Sequence, residues 1–157
     1  MQDESYSLAP DFISGFVSGE GCFYIESGFD SKYKLKHRIR PAFCIELRSD
    51  DREVLEAIKK QLNCGNIYDL DFGRYHGYEA KGWKPHVKYR VSNLHDIAEK
   101  IVPFFKRYPL YGKKKKVFNL YCEIVEAVRN AQHLSAATLP LIKEKVTLLK
   151  SMNKKGM

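Results

Sequence analysis

Glu20 closes the stretch Pro10-Asp11-Phe12-Ile13-Ser14-Gly15-Phe16-Val17-Ser18-Gly19-Glu20-Gly21, and its surroundings call for a cation. Pro10 fits the first turn of a helix, where its missing N–H costs nothing, and Asp11 complements the positive end of the helix dipole, so a helix begins near Ala9. Glu20 then stands at the negative end, where a carboxylate is disfavoured by about 0.3–1 kcal/mol. Gly15 and Gly19 share one face of this helix, although each costs roughly 1 kcal/mol against alanine. Small residues at that spacing let two helix backbones approach closely, which makes Phe12, Gly15, Ser18 and Gly19 the expected contact with a second copy, while Ile13, Phe16 and Val17 face a core. A two-fold partner brings a second carboxylate beside Glu20. A divalent cation relieves both problems, and oxygen ligands completed by water suit Mg²⁺ better than zinc, with Mn²⁺ as a substitute and Ca²⁺ as a further cation that binds.

The second chemical pattern is basic. Lys32, Lys34, Lys36, Arg38 and Arg40 occupy alternate positions against Tyr33, Leu35, His37 and Ile39, so a strand here displays five like charges on one side of a sheet. Their mutual repulsion stabilises nothing in the free protein, whereas neutralising phosphates releases counterions. Further along, His86, Lys88 and Arg90 alternate with Val87, Tyr89 and Val91 in the same sense, and Lys113-Lys114-Lys115-Lys116 opens a helix. A net charge of +8 over 157 residues agrees with a polyanionic partner such as nucleic acid. His76, His86 and His95 lack metal-site spacing, and His37 falls on the apolar side, where a core role is expected. Cys22, Cys44, Cys64 and Cys122 form no C-x-x-C pair and are expected as reduced thiols.

These residues need a scaffold, and the hydrophobic pattern supplies one. After Gly21 the period changes from helical to two, giving a strand with Phe23 and Ile25 on one face and Cys22, Tyr24 and Glu26 on the other. A turn over Ser27–Ser31 leads into a second strand reaching Arg48, with Pro41 expected to break its ladder locally or to mark an edge. Ser49-Asp50-Asp51 offers capping for a helix through about Leu62, ended by Asn63-Cys64-Gly65-Asn66. Ile67–Phe72 and His86–Ser92 read as two more strands around a loop from Gly73 to Gly82. Asn93 caps a helix that Pro103 is expected to bend or end early, and two further helices follow, one after Lys113 and one after Pro140. The length and the 44% hydrophobic content fit one domain, with a core over about 8–122 and C-terminal helices over about 114–151. No apolar run is long enough to span a membrane and no signal-peptide pattern opens the chain, so an intracellular protein without membrane or small-molecule cofactor is expected.

The segment Ile13-Ser14-Gly15-Phe16-Val17-Ser18-Gly19-Glu20-Gly21 resembles the nine-residue signature of the LAGLIDADG homing endonucleases, and the αββαββα order resembles their α+β core. The resemblance covers roughly Pro10 to Leu120. It implies that two motif helices pack across a two-fold axis and that the acid before the final glycine, here Glu20 with the Gly19 backbone, holds the metal. The motif's other acid is replaced by Ser18. Pro109-Leu110-Tyr111-Gly112-Lys113-Lys114 is similar to the family's turn into an active-site lysine, which implies Lys114 by its spacing to Leu120, with Lys113, Lys115 and Lys116 as neighbouring alternatives. The family's glutamine at the end of the second strand has Leu47 in its place, leaving Glu46 or Arg48 to serve.

The resemblance therefore implies a homodimer that hydrolyses both strands of double-stranded DNA at a long pseudo-palindromic target and leaves 3′ overhangs. Tyr24, Glu26, Asp30, Lys32, Tyr33, Lys34, Lys36, Arg38, Arg40, Glu46, Arg48, Tyr68, His86, Lys88 and Arg90 are the expected DNA-contacting set. Two other uses of the fold are weighed against it. An intron-splicing RNA maturase normally lacks the acid, and a non-cleaving regulator normally carries an added helix-turn-helix.

Overall fold

The computed structural model describes residues 7–70 and 85–154, and the expected Gly73–Gly82 loop lies outside them. Helix α1 (Pro10–Glu20) leads directly into β1 (Gly21–Phe29) and β2 (His37–Arg48), followed by α2 (Arg52–Leu62), β3 (Asn66–Leu70) and β4 (His86–Val91). A helical run follows, made of α3 (Leu94–Asp96), a π turn (Ile97–Ile101) and α4 (Val102–Arg107), and then come α5 (Lys113–Arg129) and α6 (Leu139–Lys154). The architecture is α+β. Its antiparallel sheet runs β1-β2-β4-β3, with Gly21 opposite Ile45, Phe43 opposite Val91 and Asn66 opposite Arg90.

Alternation explains the layers. Phe23, Ile25, Ile39, Phe43, Ile45, Val87, Tyr89 and Val91 are buried, whereas the intervening residues of β1 and β4 are only half-buried, so one sheet face carries the core and the other stays open. Phe23 is the centre of that core, with ring centroids 4.9 Å from Phe43, 5.1 Å from Phe118, 5.2 Å from Tyr121 and 5.7 Å from Phe105. The buried Tyr121 hydroxyl donates to the Ala42 carbonyl at 2.9 Å and so costs no unsatisfied polar group.

β1 is an edge strand, and α6 covers it: Asn153 Nδ2 donates to the Phe23 carbonyl at 3.0 Å and Lys150 Nζ to Ser27 Oγ at 2.6 Å. Pro41 pairs with Ile25 inside a continuous β1–β2 ladder rather than interrupting it. Its lost N–H is tolerated because β4 begins to pair with β2 only at Phe43, leaving no partner strand on the other side of Pro41.

Four expectations are corrected. Lys32, Lys34 and Lys36 do not lie on a strand, because residues 30–36 fold into a turn in which the Lys32 N–H donates to Asp30 Oδ1 at 3.0 Å, the Asp30 N–H donates to the Lys36 carbonyl at 3.0 Å, and Lys36 takes φ +58°. The local Asx turn outcompetes strand alternation there, and Tyr33 and Leu35 go with it. His37 is half-buried at the start of β2, not in the core; loss of water and then the nearby Lys143 and Lys150 hold its imidazole below the ordinary value. Asp51 precedes α2 without a side-chain capping bond, and a 3-10 turn (Ser49–Asp51) opens the helix instead. Pro103 does not end its helix early, since the π turn just before it runs straight on into α4.

Candidate active site and nucleic-acid interface

Helix α1 has two unlike faces. Ile13 and Val17 are fully buried, and Ser14 is buried with its Oγ donating to the Tyr108 carbonyl at 2.5 Å. One turn later Ser18 Oγ donates to the Ser14 carbonyl at 2.7 Å and accepts from the Tyr111 N–H at 2.9 Å. The two serines clip α1 to the 108–112 turn, so Ser18 is engaged inside the chain rather than offered wholly to a second copy. On the other face Gly15 and Gly19 are exposed, a Cβ on either would meet none of the described residues within 4 Å, and Phe12 remains 49% exposed, with its ring stacked on Phe16 at 5.9 Å. This stripe is open.

Glu20 is exposed at the end of α1, and β1 leaves the helix at Gly21 without a loop. Gly21 is closely packed: a Cβ there would lie 2.6 Å from Val17 Cγ1 and 3.0 Å from the Val17 carbonyl. Its own carbonyl accepts from Lys114 Nζ. Of the four lysines that open α5, Lys113, Lys115 and Lys116 are exposed, and Lys114 is the one turned toward the end of α1. A single carboxylate at this point fits an oxygen-ligated cation only in part. Among the described residues no three His, Cys, Asp or Glu side chains converge on a metal position, so completion needs groups from outside one chain.

The open sheet face is less uniformly basic than the sequence implies. Arg90, half-buried in β4, donates through Nε to the Tyr24 hydroxyl at 3.0 Å and through NH2 to the Glu26 carboxylate, so these three expected DNA contacts form one neutralised cluster. His86 Nδ1 lies 3.0 Å from Glu46 Oε2, and Arg48 Nε lies 3.7 Å from Asp50 Oδ1. Arg40 Nε donates to the Tyr33 hydroxyl at 3.0 Å, which brings the turn back over β2. Lys88 stands opposite Glu46 on one side and Tyr68 on the other. Arg38 is half-buried, while Lys32, Lys34 and Lys36 are exposed in the turn beyond the sheet, Lys36 with its Nζ donating to the Ser31 carbonyl at 3.1 Å. Leu47 packs against the core, so the position expected to carry a water-holding side chain carries none.

Sequence reasoning missed the neighbours of Lys114. Cys22 and Cys44 face each other across β1 and β2 on the open face. Contact with the Cys44 thiol holds Cys22 down at about 7, against the opposing push of burial and with help from Lys114 and Lys88. The Cys22 thiol and burial push Cys44 up instead. The only signal in the sequence is that both cysteines share parity with the polar face of their strands.

Comparison with known proteins reaches the same region of protein space. The LAGLIDADG endonuclease family model matches residues 13–125. A probable intron-encoded endonuclease of Neurospora crassa is 32% identical over 128 residues, covering 82% of this chain and 22% of that protein. The solved structure of meganuclease I-SmaMI bound to uncleavable DNA superposes with a TM-score of 0.78 at 29% identity, over 88% of this chain and 44% of that one. The homing endonuclease I-TnaI superposes with a TM-score of 0.77 at 26% identity, over 95% of this chain and 98% of that one. This chain thus spans about a fifth of the curated relative and under half of the first structural one.

Proposed function

The chain belongs to the LAGLIDADG endonuclease family, and from that premise we propose that it is a site-specific double-strand DNA endonuclease acting as a homodimer on a long pseudo-palindromic target. The observation that carries this reading is the end of α1, where an open small-residue stripe runs up to an exposed Glu20 and Lys114 donates to the carbonyl of the next residue, Gly21. The chain supplies one motif helix, while cutting two strands takes two sites. A second copy packed against Gly15 and Gly19 places its own Glu20 beside the first and supplies the missing carboxylate.

Glu20 and its symmetry mate, with the adjoining backbone, are the residues that would hold Mg²⁺. The cation supplies charge neutralisation at the phosphodiester and an acidified water. I-SmaMI has been crystallised on uncleaved DNA in the presence of calcium ions, which supports a divalent-cation site in this family. Lys114 donates toward the same point and assists charge developing on the phosphate oxygens. The open sheet face, with Lys88, Arg40, Arg38 and the Arg90–Glu26–Tyr24 cluster, lies along the groove, and the lysines of the 30–36 turn reach phosphates at its end. Arg90 is already held in place, so a base contact there costs little side-chain entropy.

The test uses the purified chain and a library of long duplexes incubated with Mg²⁺, followed by gel-shift with Ca²⁺ on the recovered target. Glu20→Gln is expected to keep duplex binding and lose cleavage, and Lys114→Met to slow cleavage without abolishing it. A Glu20→Gln protein that cuts at the parental rate removes Glu20 from the site and overturns the reading.

A further inference from the structure

We propose that Cys22 and Cys44 form a reversible thiol modification site, a cross-strand pair that a low-molecular-weight disulfide oxidises to a Cys22–Cys44 disulfide. The argument begins with the phase of the β1–β2 ladder. In an antiparallel pair, opposed residues alternate between those that exchange both backbone hydrogen bonds and those whose N–H and C=O point away from each other. Pro41 has no N–H to exchange, so Ile25–Pro41 belongs to the second kind. Two residues along, Phe23–Phe43 has the same phase, and the Phe23 carbonyl does point out of the ladder, where Asn153 donates to it at 3.0 Å. Two residues further on, the Gly21 carbonyl also points outward and is taken by Lys114. Cys22–Cys44 lies between these positions and is therefore a hydrogen-bonded pair.

That phase sets the cost of joining the two sulfurs. Opposed residues of a hydrogen-bonded pair have their Cα atoms about 5.5 Å apart, inside the range of disulfides, but their Cβ atoms also lie about 5.5 Å apart against the roughly 3.5–4.5 Å that a disulfide takes, so the bridge closes only with strain. Both side chains leave the same face of the sheet, directly opposed in register, and both are half-buried. The strands draw together by about 1 Å at this pair, and the resulting strain makes the bridge easy to reduce. The remaining two cysteines lack such a partner: Cys64 lies against the Tyr89 hydroxyl at 3.8 Å, and burial pushes the Cys122 thiol on α5 up to about 11.

The chemistry is ordinary thiol–disulfide exchange. One thiol of the pair loses its proton to solvent and attacks a sulfur of the small disulfide, forming a mixed disulfide and expelling one small thiolate, which takes up a proton. The second protein thiol then attacks the protein-bound sulfur and expels the other small thiol. The two protein S–H groups are oxidised and the small disulfide is reduced to two thiols. A half-exposed bridge of this kind is readily reduced again.

The experiment treats the whole chain with glutathione disulfide, caps the remaining thiols with an alkylating reagent, and maps peptides without reduction. Expected are two alkylated cysteines instead of the four of the untreated chain, one linked pair of peptides carrying Cys22 and Cys44, and full recovery of four thiols after dithiothreitol. Cys64→Ser and Cys122→Ser should leave that link in place, and Cys22→Ser should abolish it. A stable glutathione adduct on either residue of the wild-type chain, a link to Cys64 or Cys122, or four thiols still open to alkylation overturns the proposal. The readout involves no DNA, so its failure leaves the endonuclease reading standing, and failure of cleavage leaves this one standing.

Discussion

The inward and outward faces of α1 differ in almost every property that a helix can vary. Inward, Ile13 and Val17 are fully buried and Ser14 and Ser18 hydrogen-bond to the 108–112 turn, so every group is used within the chain. Outward, Gly15 and Gly19 give up helix propensity where an added Cβ would meet no described residue within 4 Å, while Phe12 stays half-exposed. Two glycines in an eleven-residue helix cost helix propensity, and no close packing among the described residues requires either of them, since an added Cβ would meet none of those residues within 4 Å. The outward face makes sense as half of a contact, and the inward face as the anchor that holds it still.

The sharpest way to break the comparison is Gly19→Leu. Within one chain an added Cβ there meets no described residue within 4 Å, so at a dilution where the parent is also monomeric thermal stability should hold or rise by up to about 1 kcal/mol from helix propensity, while at working concentration dimers and cleavage disappear. Sedimentation and a melting curve on the same sample decide it, and a monomer that still cuts both strands ends the dimer reading. Ile13→Ala should show the opposite signature. It empties a fully buried position and should cost about 2–5 kcal/mol in a urea melt.

Gly21→Ala sharpens the contrast between neighbouring glycines. The added Cβ would sit 2.6 Å from Val17 Cγ1, so this variant should lose about 1–3 kcal/mol where Gly19→Ala loses nothing. Ser18→Ala is the mildest. Losing the contacts to Ser14 and Tyr111 should cost about 0.5–1.5 kcal/mol, and because those contacts hold the turn that leads to Lys114, cleavage should slow more than binding weakens. Equal losses in kcat and in duplex affinity would make Ser18 a structural residue only.

Much of this arrangement was legible before any coordinates. The αββαββα order, the helix ending at Glu20 and the buried sides of β1 and β4 follow from periodicity and from where proline and glycine stand, and each appears in the fold. Where legibility failed, a local bond or a distant partner was the cause. Asp30 drew Lys32 and Lys36 into a turn, against the strand that their alternation suggested. The basic face was overcounted because alternation says which side a charge is on and not which charge it meets: Arg90 finds Glu26, although Glu26 is opposite Arg40 in register.

By itself, then, the sequence determined which residues are buried, in what order the elements come, and that an acid ends a glycine-bearing helix, because all of these are properties of neighbours along the chain. Only the tertiary structure decided which of four lysines turns toward Gly21, across 93 positions of sequence, that Ser18 serves Tyr111, and that Cys22 meets Cys44. Those facts depend on the register between strands and on the packing of α5 beside α1. A shift of one residue in either would exchange every partner while leaving the hydrophobic pattern of each element unchanged.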